Sequence, residues 1–273
     1  MSRILPILPL FMFILVSNSF AEDADIARLF KGKNIRGTMV ISSLDGATTY
    51  IHNNERAATR MLPASTFKIP NTLIALEEGV IGDEKQVLKW DGIDKGVATW
   101  NKDQSLESAF RTSCIWFYQE LARRVGRERY GEWLAKLKYG NGQAGPELSN
   151  FWLEGDLRIS AEEQIAFLKR LYRREFHFNT TTYELLRKLM IVEQTPVYVL
   201  RAKTGMVGWG QKVSPQIGWY VGYVESGGKI WFFAMNMEIA KPEEGRLRHE
   251  LTVAALRLKE ILQFQSRENE VFN

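Results

Sequence analysis

Ser65 and Lys68 are three positions apart in the stretch LPASTFKIP, immediately before the apolar helical pattern of NTLIALEEGVI. A serine hydroxyl becomes a good nucleophile when a neighbouring base removes its proton. Because residues three apart on a helix share one face, the Lys68 amine is predicted to reach the Ser65 hydroxyl. Pro63 favours a helix start at this point, whereas Pro70 predicts that the first turn is irregular. The pair therefore indicates a serine nucleophile with a lysine as its base.

The Ser-x-x-Lys spacing is weak evidence alone, because a chain of this length contains about one such pair by chance. A second copy, Ser226-Gly227-Gly228-Lys229, predicts a hairpin turn instead. The first copy has a partner in Lys203-Thr204-Gly205, at the end of a β-rich run. Ser-x-x-Lys followed by Lys-Thr-Gly is known in serine enzymes that open β-lactam rings, and the glycine lets a substrate lie close to the strand.

Three further motifs lie between these two. They are Ser113-Cys114-Ile115, Tyr139-Gly140-Asn141 and the loop FWLEGDLRIS, which contains Trp152. With these motifs the chain resembles the class D β-lactamases, or oxacillinases, through most of its length. The resemblance implies hydrolysis of penicillins and oxacillin-type β-lactams through an acyl-serine intermediate, and with it antibiotic resistance.

The resemblance also implies an unusual base, in which carbon dioxide, supplied as bicarbonate, carboxylates Lys68. The resulting carbamate activates Ser65 and the hydrolytic water, and no other cofactor and no metal is expected. Carboxylation requires a neutral amine, and at the usual lysine pKa of about 10.4 only about one amine in 2500 is neutral at pH 7. A shift of about three units through burial raises that fraction to about a quarter. Apolar neighbours are therefore predicted, with Phe67, Ile115 and Leu153 as candidates.

The remaining catalytic roles rest on the same resemblance. Trp152 is a further apolar neighbour, and its indole N–H is implied to hold the carbamate. Ser113 is implied to relay a proton towards the β-lactam nitrogen, with Lys203 close by. The oxyanion of the tetrahedral intermediate is assigned to the backbone N–H groups of Ser65 and Met206.

Substrate binding requires a cation and a hydroxyl donor, because β-lactams carry a carboxylate. Thr204 offers the hydroxyl, beside Gly205 on the same predicted strand. In EGRLRHEL, Arg248 matches the carboxylate-binding arginine of the family by its Leu-Arg context, and Arg246 is the alternative. Ile115 stands where valine is commoner in the family, so it adds one methylene beside the substrate and the water path.

Three other chemistries have weaker support. A class A β-lactamase uses Glu-x-x-Leu-Asn, but Arg158 follows Glu154 at the position of the asparagine, and Ser113 does not begin a Ser-Asp-Asn motif. A zinc hydrolase needs a histidine or cysteine cluster, whereas the three histidines are scattered. Cys114 has no histidine near it in the sequence and is predicted to be a buried, inert thiol.

Proteins that react with β-lactams without releasing them are closer alternatives. A penicillin-binding peptidase or the sensor domain of a β-lactam receptor acylates its serine and stays acylated, and either is expected to carry a membrane anchor or a further domain. A noncatalytic binding module is another alternative, against which the four intact catalytic residues argue. The sequence leaves deacylation undecided, because the lifetime of an acyl-enzyme depends on the position of one water.

The elements that position these residues follow from hydrophobic patterning. RGTMVISSLDGATTYIHN predicts a hairpin around Asp45-Gly46, and strands return at about Tyr198, with helical patterns between them. The prediction is an α/β (α+β) fold with an antiparallel sheet (about 22–65 and 196–273) flanked by helices, and an inserted helical lobe (about 66–195). This is the architecture of the serine β-lactamases and penicillin-binding transpeptidases, and a cleft between sheet and lobe is the expected site.

Residues 1–21 predict a cleaved signal peptide. Arg3 precedes an apolar run from Ile4 to Val16, and Ser19-Phe20-Ala21 is a cleavage site. The run is shorter than the roughly 20 apolar residues of a membrane span, so a stable membrane anchor is the less favoured alternative. We therefore expect a single domain, residues 22–273, in the periplasm.

Charge and cysteine content restrict the partners. The net charge falls from +4 to +3 when Arg3 is removed, and the basic residues are scattered among acidic ones. This pattern indicates a small-molecule substrate and no nucleic acid. With one cysteine the chain must fold without an internal disulfide, and its state as a monomer or a homodimer is left open.

Overall fold

The helices follow the predicted order in a computed structural model, which describes residues 21–262. In this range the α-helices are α1 (Ala24–Gly32), α2 (Asn54–Ala58), α3 (Lys68–Glu77), α4 (Leu106–Arg111), α5 (Ile115–Val125), α6 (Arg127–Leu137), α7 (Ala161–Tyr172), α8 (Thr180–Leu189) and α9 (Leu247–Leu258). Short 3-10 helices cover Ala64–Phe67, Ala98–Trp100 and Pro242–Arg246.

The strands form one large antiparallel sheet and one small one. They are β1 (Gly37–Ser43), β2 (Thr49–His52), β3 (Val87–Leu88), β4 (Gln104–Ser105), β5 (Ile191–Gln194), β6 (Tyr198–Val207), β7 (Gln216–Ser226) and β8 (Lys229–Ile239). The large sheet has the order β2-β1-β8-β7-β6-β5, and β3 pairs with β4. Every pairing in the large sheet is antiparallel.

Both faces of the sheet are buried, which explains the almost continuous apolar runs in its central strands. On β7, Trp219 and Val221 point towards the helical lobe, whereas Tyr220 and Val224 point towards the terminal helices. On the terminal-helix side, α9 packs against β7 and β8, and α1 packs against α9. On the other side α7 packs against β8 and β1.

The predicted antiparallel sheet with helices inserted between its parts is confirmed. The hairpin at Asp45-Gly46 joins β1 to β2. Gly227-Gly228 joins β7 to β8, and Ser226 at the end of β7 pairs with Lys229 at the start of β8. The second Ser-x-x-Lys copy is therefore a turn. Both glycines of that turn have positive φ, which only glycine adopts easily.

Three strands lie in the segment for which the sequence predicts a helical lobe. β5 begins five residues before residue 196, because it is an exposed edge strand that lacks the alternating apolar pattern of a half-buried strand. The small β3–β4 pair was also missed, since two-residue strands carry no periodicity. The sheet therefore extends into the predicted 66–195 segment.

The predicted leader and the chain end are not tested by this fold. Residues 1–20 of the predicted signal peptide (1–21) and residues 263–273 of the predicted domain lie outside the described residues. Within residues 21–262, no helix is both long and apolar enough to cross a membrane. The division into a leader and a single domain stays a prediction.

Candidate active site

Ser65 and Lys68 meet at the junction of two helices. Ser65 lies in the 3-10 turn Ala64–Phe67, and Lys68 is the first residue of α3. The Lys68 Nζ donates a hydrogen bond of 2.9 Å to the Ser65 Oγ. The irregular first turn predicted from Pro70 is this 3-10 turn, and Pro70 itself lies in the first turn of α3, where a missing N–H is tolerated.

Lys68 is completely buried, and burial lowers the pKa of its amine to about 7. The electrostatic influence of Cys114 opposes this shift and is smaller. With that pKa, about half of the Lys68 amines are neutral at pH 7. The amine is therefore able to accept a proton or to react as a nucleophile near neutrality.

An aromatic cluster joins Phe67, the residue before Lys68, to the tryptophan-containing loop. The Phe67 ring stacks on the Trp152 indole with centroids 5.6 Å apart, and the Phe151 ring meets both edge-on. The Trp152 Nε1 is buried and has no hydrogen-bond partner among the described residues. A buried donor left unpaired costs free energy unless a ligand satisfies it, so this atom can donate to an acceptor such as a carboxylate.

Tyr139-Gly140-Asn141 holds the tryptophan-containing loop in place. The Asn141 Oδ1 accepts from the backbone N–H of Arg158 at 2.9 Å, and its Nδ2 donates to the backbone oxygen of Asp156 at 2.7 Å. At the other end of the loop, the Ala64 N–H donates to the Trp152 carbonyl at 2.9 Å. The loop that contains the unpaired Trp152 indole is thus hydrogen-bonded to the turn that contains Ser65.

Ser113 and Lys203 form a second serine–lysine pair. Ser113 has a φ of 57°, a left-handed conformation that non-glycine residues adopt rarely, and its Oγ lies 3.0 Å from the Lys203 Nζ. Burial, followed by the charges of Lys68 and Arg248, lowers the pKa of Lys203 well below its ordinary value. This lowered pKa favours exchange of a proton between Lys203 and Ser113.

Strand β6 lies directly against the nucleophile turn. A Cβ on Gly205 would be 3.0 Å from the Pro63 carbonyl oxygen and 3.1 Å from the Thr66 Cγ2. From the neighbouring strand, the Trp219 Nε1 donates to the Leu62 carbonyl at 2.9 Å. Glycine in the Lys-Thr-Gly motif therefore allows close packing of strand and turn, which a Cβ would crowd.

A cavity of about 200 Å³ lies above these groups. Its polar side is formed by Ser65, Ser113, Thr204, Gly205, Met206 and Arg248. Its apolar side is formed by Val97, Trp100, Ile115, Leu153 and Trp209. Four of the candidates predicted from the sequence do not line this cavity because they are buried, namely Phe67, Lys68, Trp152 and Lys203. The alternative arginine, Arg246, does not line it either.

The two candidate arginines differ in position. The Arg248 side chain donates to the Gly205 carbonyl at 2.6 Å and to the Gly245 carbonyl at 2.7 Å, which fixes it in the cavity wall. Arg246 pairs with Glu250 and has 70% of its side chain exposed. The geometry favours Arg248 as the carboxylate partner.

Sequence reasoning missed the tryptophans at the cavity mouth. The Trp100 and Trp209 rings have centroids 6.5 Å apart with tilted planes, and 52% of Trp209 is exposed. Neither belongs to a motif. The available signal was a tryptophan between Gly208 and Gly210, since a large aromatic in a glycine-rich loop has no core to enter.

The alternative catalytic groups lie in ordinary structural settings. Burial raises the pKa of the Cys114 thiol to about 11, which makes it a weak nucleophile. Glu154 accepts hydrogen bonds of 2.6 Å from Asn150 and from Gln211. Among residues 21–262 no group of three or more histidine, cysteine or acidic residues is placed to hold a metal ion.

This arrangement, with a serine and a buried lysine at a helix start opposite a Lys-Thr-Gly strand, defines the class of penicillin-binding serine enzymes. The family profile of the penicillin-binding protein transpeptidase domain matches residues 34–263. β-Lactamase OXA-48 of Klebsiella pneumoniae is 38% identical over 247 residues, covering 90% of this chain and 92% of the relative.

Solved structures narrow the class further. The class D β-lactamase YbXI from Nostoc superposes with a TM-score of 0.84 at 42% identity, covering 87% of this chain and 99% of that chain. FUS-1 (OXA-85), a class D β-lactamase from Fusobacterium nucleatum subsp. polymorphum, superposes with a TM-score of 0.85 at 34% identity, covering 89% and 100%. The chain belongs to the class D β-lactamases.

Replacing Lys68 by methionine is expected to stabilise the fold at neutral and acid pH. Between the folded pKa of about 7 and the ordinary value of 10.5, the unfolded chain binds a proton that the folded chain does not. The free energy of unfolding of the native protein therefore rises with pH in this window, and that of Lys68→Met does not. At pH 6 the variant is expected to be more stable by roughly 3 to 5 kcal/mol.

The measurement is urea unfolding of both proteins in carbon dioxide-free buffers from pH 6 to pH 10. The stability difference is expected to shrink steadily across this range. A difference that does not change with pH would show that the Lys68 amine carries the same charge in the folded and unfolded chains.

Gly140→Ala is expected to destabilise the protein and to displace the tryptophan-containing loop. A Cβ at this position would lie 1.9 Å from the Arg158 carbonyl oxygen, and the residue has a φ of +56°. The matched control is Gly142→Ala, where φ is +69° but no atom lies within 4 Å of the added carbon. The control isolates the backbone cost of about 1 kcal/mol.

Thermal unfolding is expected to show a loss of about 3 kcal/mol or more for Gly140→Ala, because a backbone clash adds to the strain. Equal losses in the two variants would mean that the contact with Arg158 does not constrain the loop.

Proposed function

We propose that this protein hydrolyses β-lactam antibiotics, with penicillins and oxacillin-type compounds as substrates, through an acyl intermediate on Ser65. The observation that carries the proposal is the Lys68 amine, completely buried and 2.9 Å from the Ser65 hydroxyl. The names of the related proteins support β-lactams as the substrate class. Hydrolysis of these antibiotics makes the protein a resistance determinant.

Lys68 carboxylated by carbon dioxide is the proposed general base. The neutral fraction of the amine, its apolar surroundings and the unpaired Trp152 Nε1 all fit this modification. When bound, carbon dioxide supplies a carboxylate base that takes the proton of the Ser65 hydroxyl and later that of the hydrolytic water. Trp152 donates its N–H to that carboxylate and so holds it beside Ser65.

In acylation, the Ser65 Oγ attacks the β-lactam carbonyl carbon. The Ser65 N–H is the proposed first oxyanion donor, as the resemblance to the family implies. The N–H groups on either side of it, those of Ala64 and Thr66, already donate to the carbonyls of Trp152 and Pro63. The Met206 N–H on β6 is the second donor. Loss of one such donor costs about 3 to 4 kcal/mol of transition-state stabilisation in other enzymes.

Ring opening requires a proton on the departing nitrogen. Ser113 is proposed to give this proton, because Lys203 stands 3.0 Å from its hydroxyl and can replace the proton that leaves. The substrate carboxylate binds to Arg248 and to the Thr204 hydroxyl at the cavity wall. The Ile115 side chain lines the cavity beside them and limits the space for substrate and water.

The location and assembly are proposed from the sequence and the family. Residues 1–21 direct export and are removed, and residues 22–273 act as one domain in the periplasm. The protein works as a monomer or a homodimer on a small-molecule substrate, without a metal, a nucleic acid partner or a membrane anchor.

Hydrolysis of a chromogenic β-lactam by residues 22–273 tests the proposal. Sustained turnover is expected in bicarbonate buffer, with a lower rate in degassed buffer because Lys68 then lacks its carboxyl group. Ser65→Ala and Lys68→Ala are each expected to lower turnover by more than about a thousandfold.

The outcome against the proposal is a single burst equal to the enzyme concentration and unchanged by bicarbonate. That result would identify a protein that acylates and stays acylated, as a penicillin-binding peptidase or a receptor domain does.

Arg248→Ala is expected to raise KM for a carboxylate-bearing β-lactam roughly ten- to hundredfold, the value of one or two charge-assisted hydrogen bonds. Arg246→Ala is the matched control, because Arg246 pairs with Glu250 at the surface. It is expected to leave KM unchanged. Steady-state kinetics, with thermal unfolding to check folding, separates the two. A larger KM rise in Arg246→Ala would reverse the assignment.

A further inference from the structure

Tyr118 supplies a buried aromatic face to the Lys68 amine. The Lys68 Nζ lies 5.0 Å from the centroid of the Tyr118 ring, and both side chains are completely buried. The Tyr118 hydroxyl and the Thr72 hydroxyl are 2.8 Å apart, which fixes the ring against α3. Thr72 is one helical turn beyond Lys68, so the same helix positions the amine and the ring that faces it.

The other groups around Lys68 give its charged form little compensation. Ser65 accepts its one hydrogen bond, Lys203 offers no negative charge in either protonation state, and the raised pKa of Cys114 keeps that thiol neutral near pH 7. No carboxylate within residues 21–262 contributes to the pKa of Lys68. Burial raises the pKa of Tyr118 far above its usual range, so its ring carries no titrating charge.

We propose that the face of the Tyr118 ring holds the protonated Lys68 amine and thereby sets the bicarbonate concentration and pH at which this amine takes up carbon dioxide. The inference rests on the proposed function and deepens it. The π face attracts an ammonium group, has little effect on a neutral amine and repels a carboxylate. Tyr118 therefore favours the uncarboxylated state, whereas the Trp152 N–H favours the carboxylated one.

The reaction that Tyr118 opposes is chemically simple. The protonated amine first loses a proton, and its nitrogen lone pair then forms a bond to the carbon of carbon dioxide. One C=O electron pair moves to oxygen, and the nitrogen releases a second proton. Because the first step requires loss of the charge that the ring stabilises, Tyr118 acts on the equilibrium as a positioning residue and does not touch the substrate.

The test measures carboxylation directly by ¹³C NMR of the full mature chain in ¹³C-bicarbonate. At pH 6, Tyr118→Leu is expected to lower the half-saturating bicarbonate concentration about tenfold, the effect of losing one desolvated cation–π contact. Tyr118→Phe keeps the ring and is expected to match the native protein. Tyr130→Leu is the matched control, since Tyr130 is also a completely buried tyrosine of the same core but bonds to Asn71 instead.

Graded ring fluorination tests the same point if Tyr118→Leu fails to fold. In the Tyr118→Phe protein, each added fluorine weakens the negative ring face with little change in shape, so half-saturating bicarbonate is expected to fall step by step. Values that do not change with fluorination, or that change equally in Tyr130→Leu, would overturn the role of Tyr118. Absence of any carbamate signal in the native protein would instead overturn the proposed base.

Discussion

The site depends on keeping the Lys68 amine out of water without giving it a counter-ion. A carboxylate beside it would raise the pKa and leave an inert ammonium group. Burial does the opposite and brings the pKa to about 7. Burial of the amine lowers the free energy of unfolding of the whole protein at every pH at which the unfolded chain protonates Lys68. The aromatic side chains around Lys68 are thus both core and catalytic environment.

Strand β6 and the Trp152 loop hold the turn that leads into Lys68. Gly205 of β6 packs against the turn that contains Ser65. The Ala64 N–H bonds the turn to the Trp152 loop, and Asn141 bonds to the far end of that loop. Each contact is made by backbone atoms or by a short side chain, which restricts movement of the turn and the loop relative to each other. Ser113, held in a left-handed conformation, completes the arrangement from the start of α5.

The candidate catalytic residues could be predicted because the proposed chemistry restricts both residue type and local spacing. Ser65 and Lys68 lie three apart in sequence, and the Lys203 motif lies within β6, a strand that is readable from its β-rich composition. The choice between Arg248 and Arg246 could not be made this way, since both lie beside the same helix start and only packing shows which one enters the cavity. Trp100 and Trp209 meet across a gap of more than one hundred residues in sequence, and no local pattern records that contact.

The sequence alone predicts the order of the main elements, the antiparallel sheet with its inserted helices, and the candidate residues for the chemistry. These follow from hydrophobic period, turn residues and motif spacing, all of which are local. Tertiary structure alone decided that Lys68 is fully buried, that the Trp152 indole is left unpaired and that the Tyr118 ring faces the amine. Burial and pKa depend on the whole surrounding shell, which distant segments build together, so no stretch of the chain contains them.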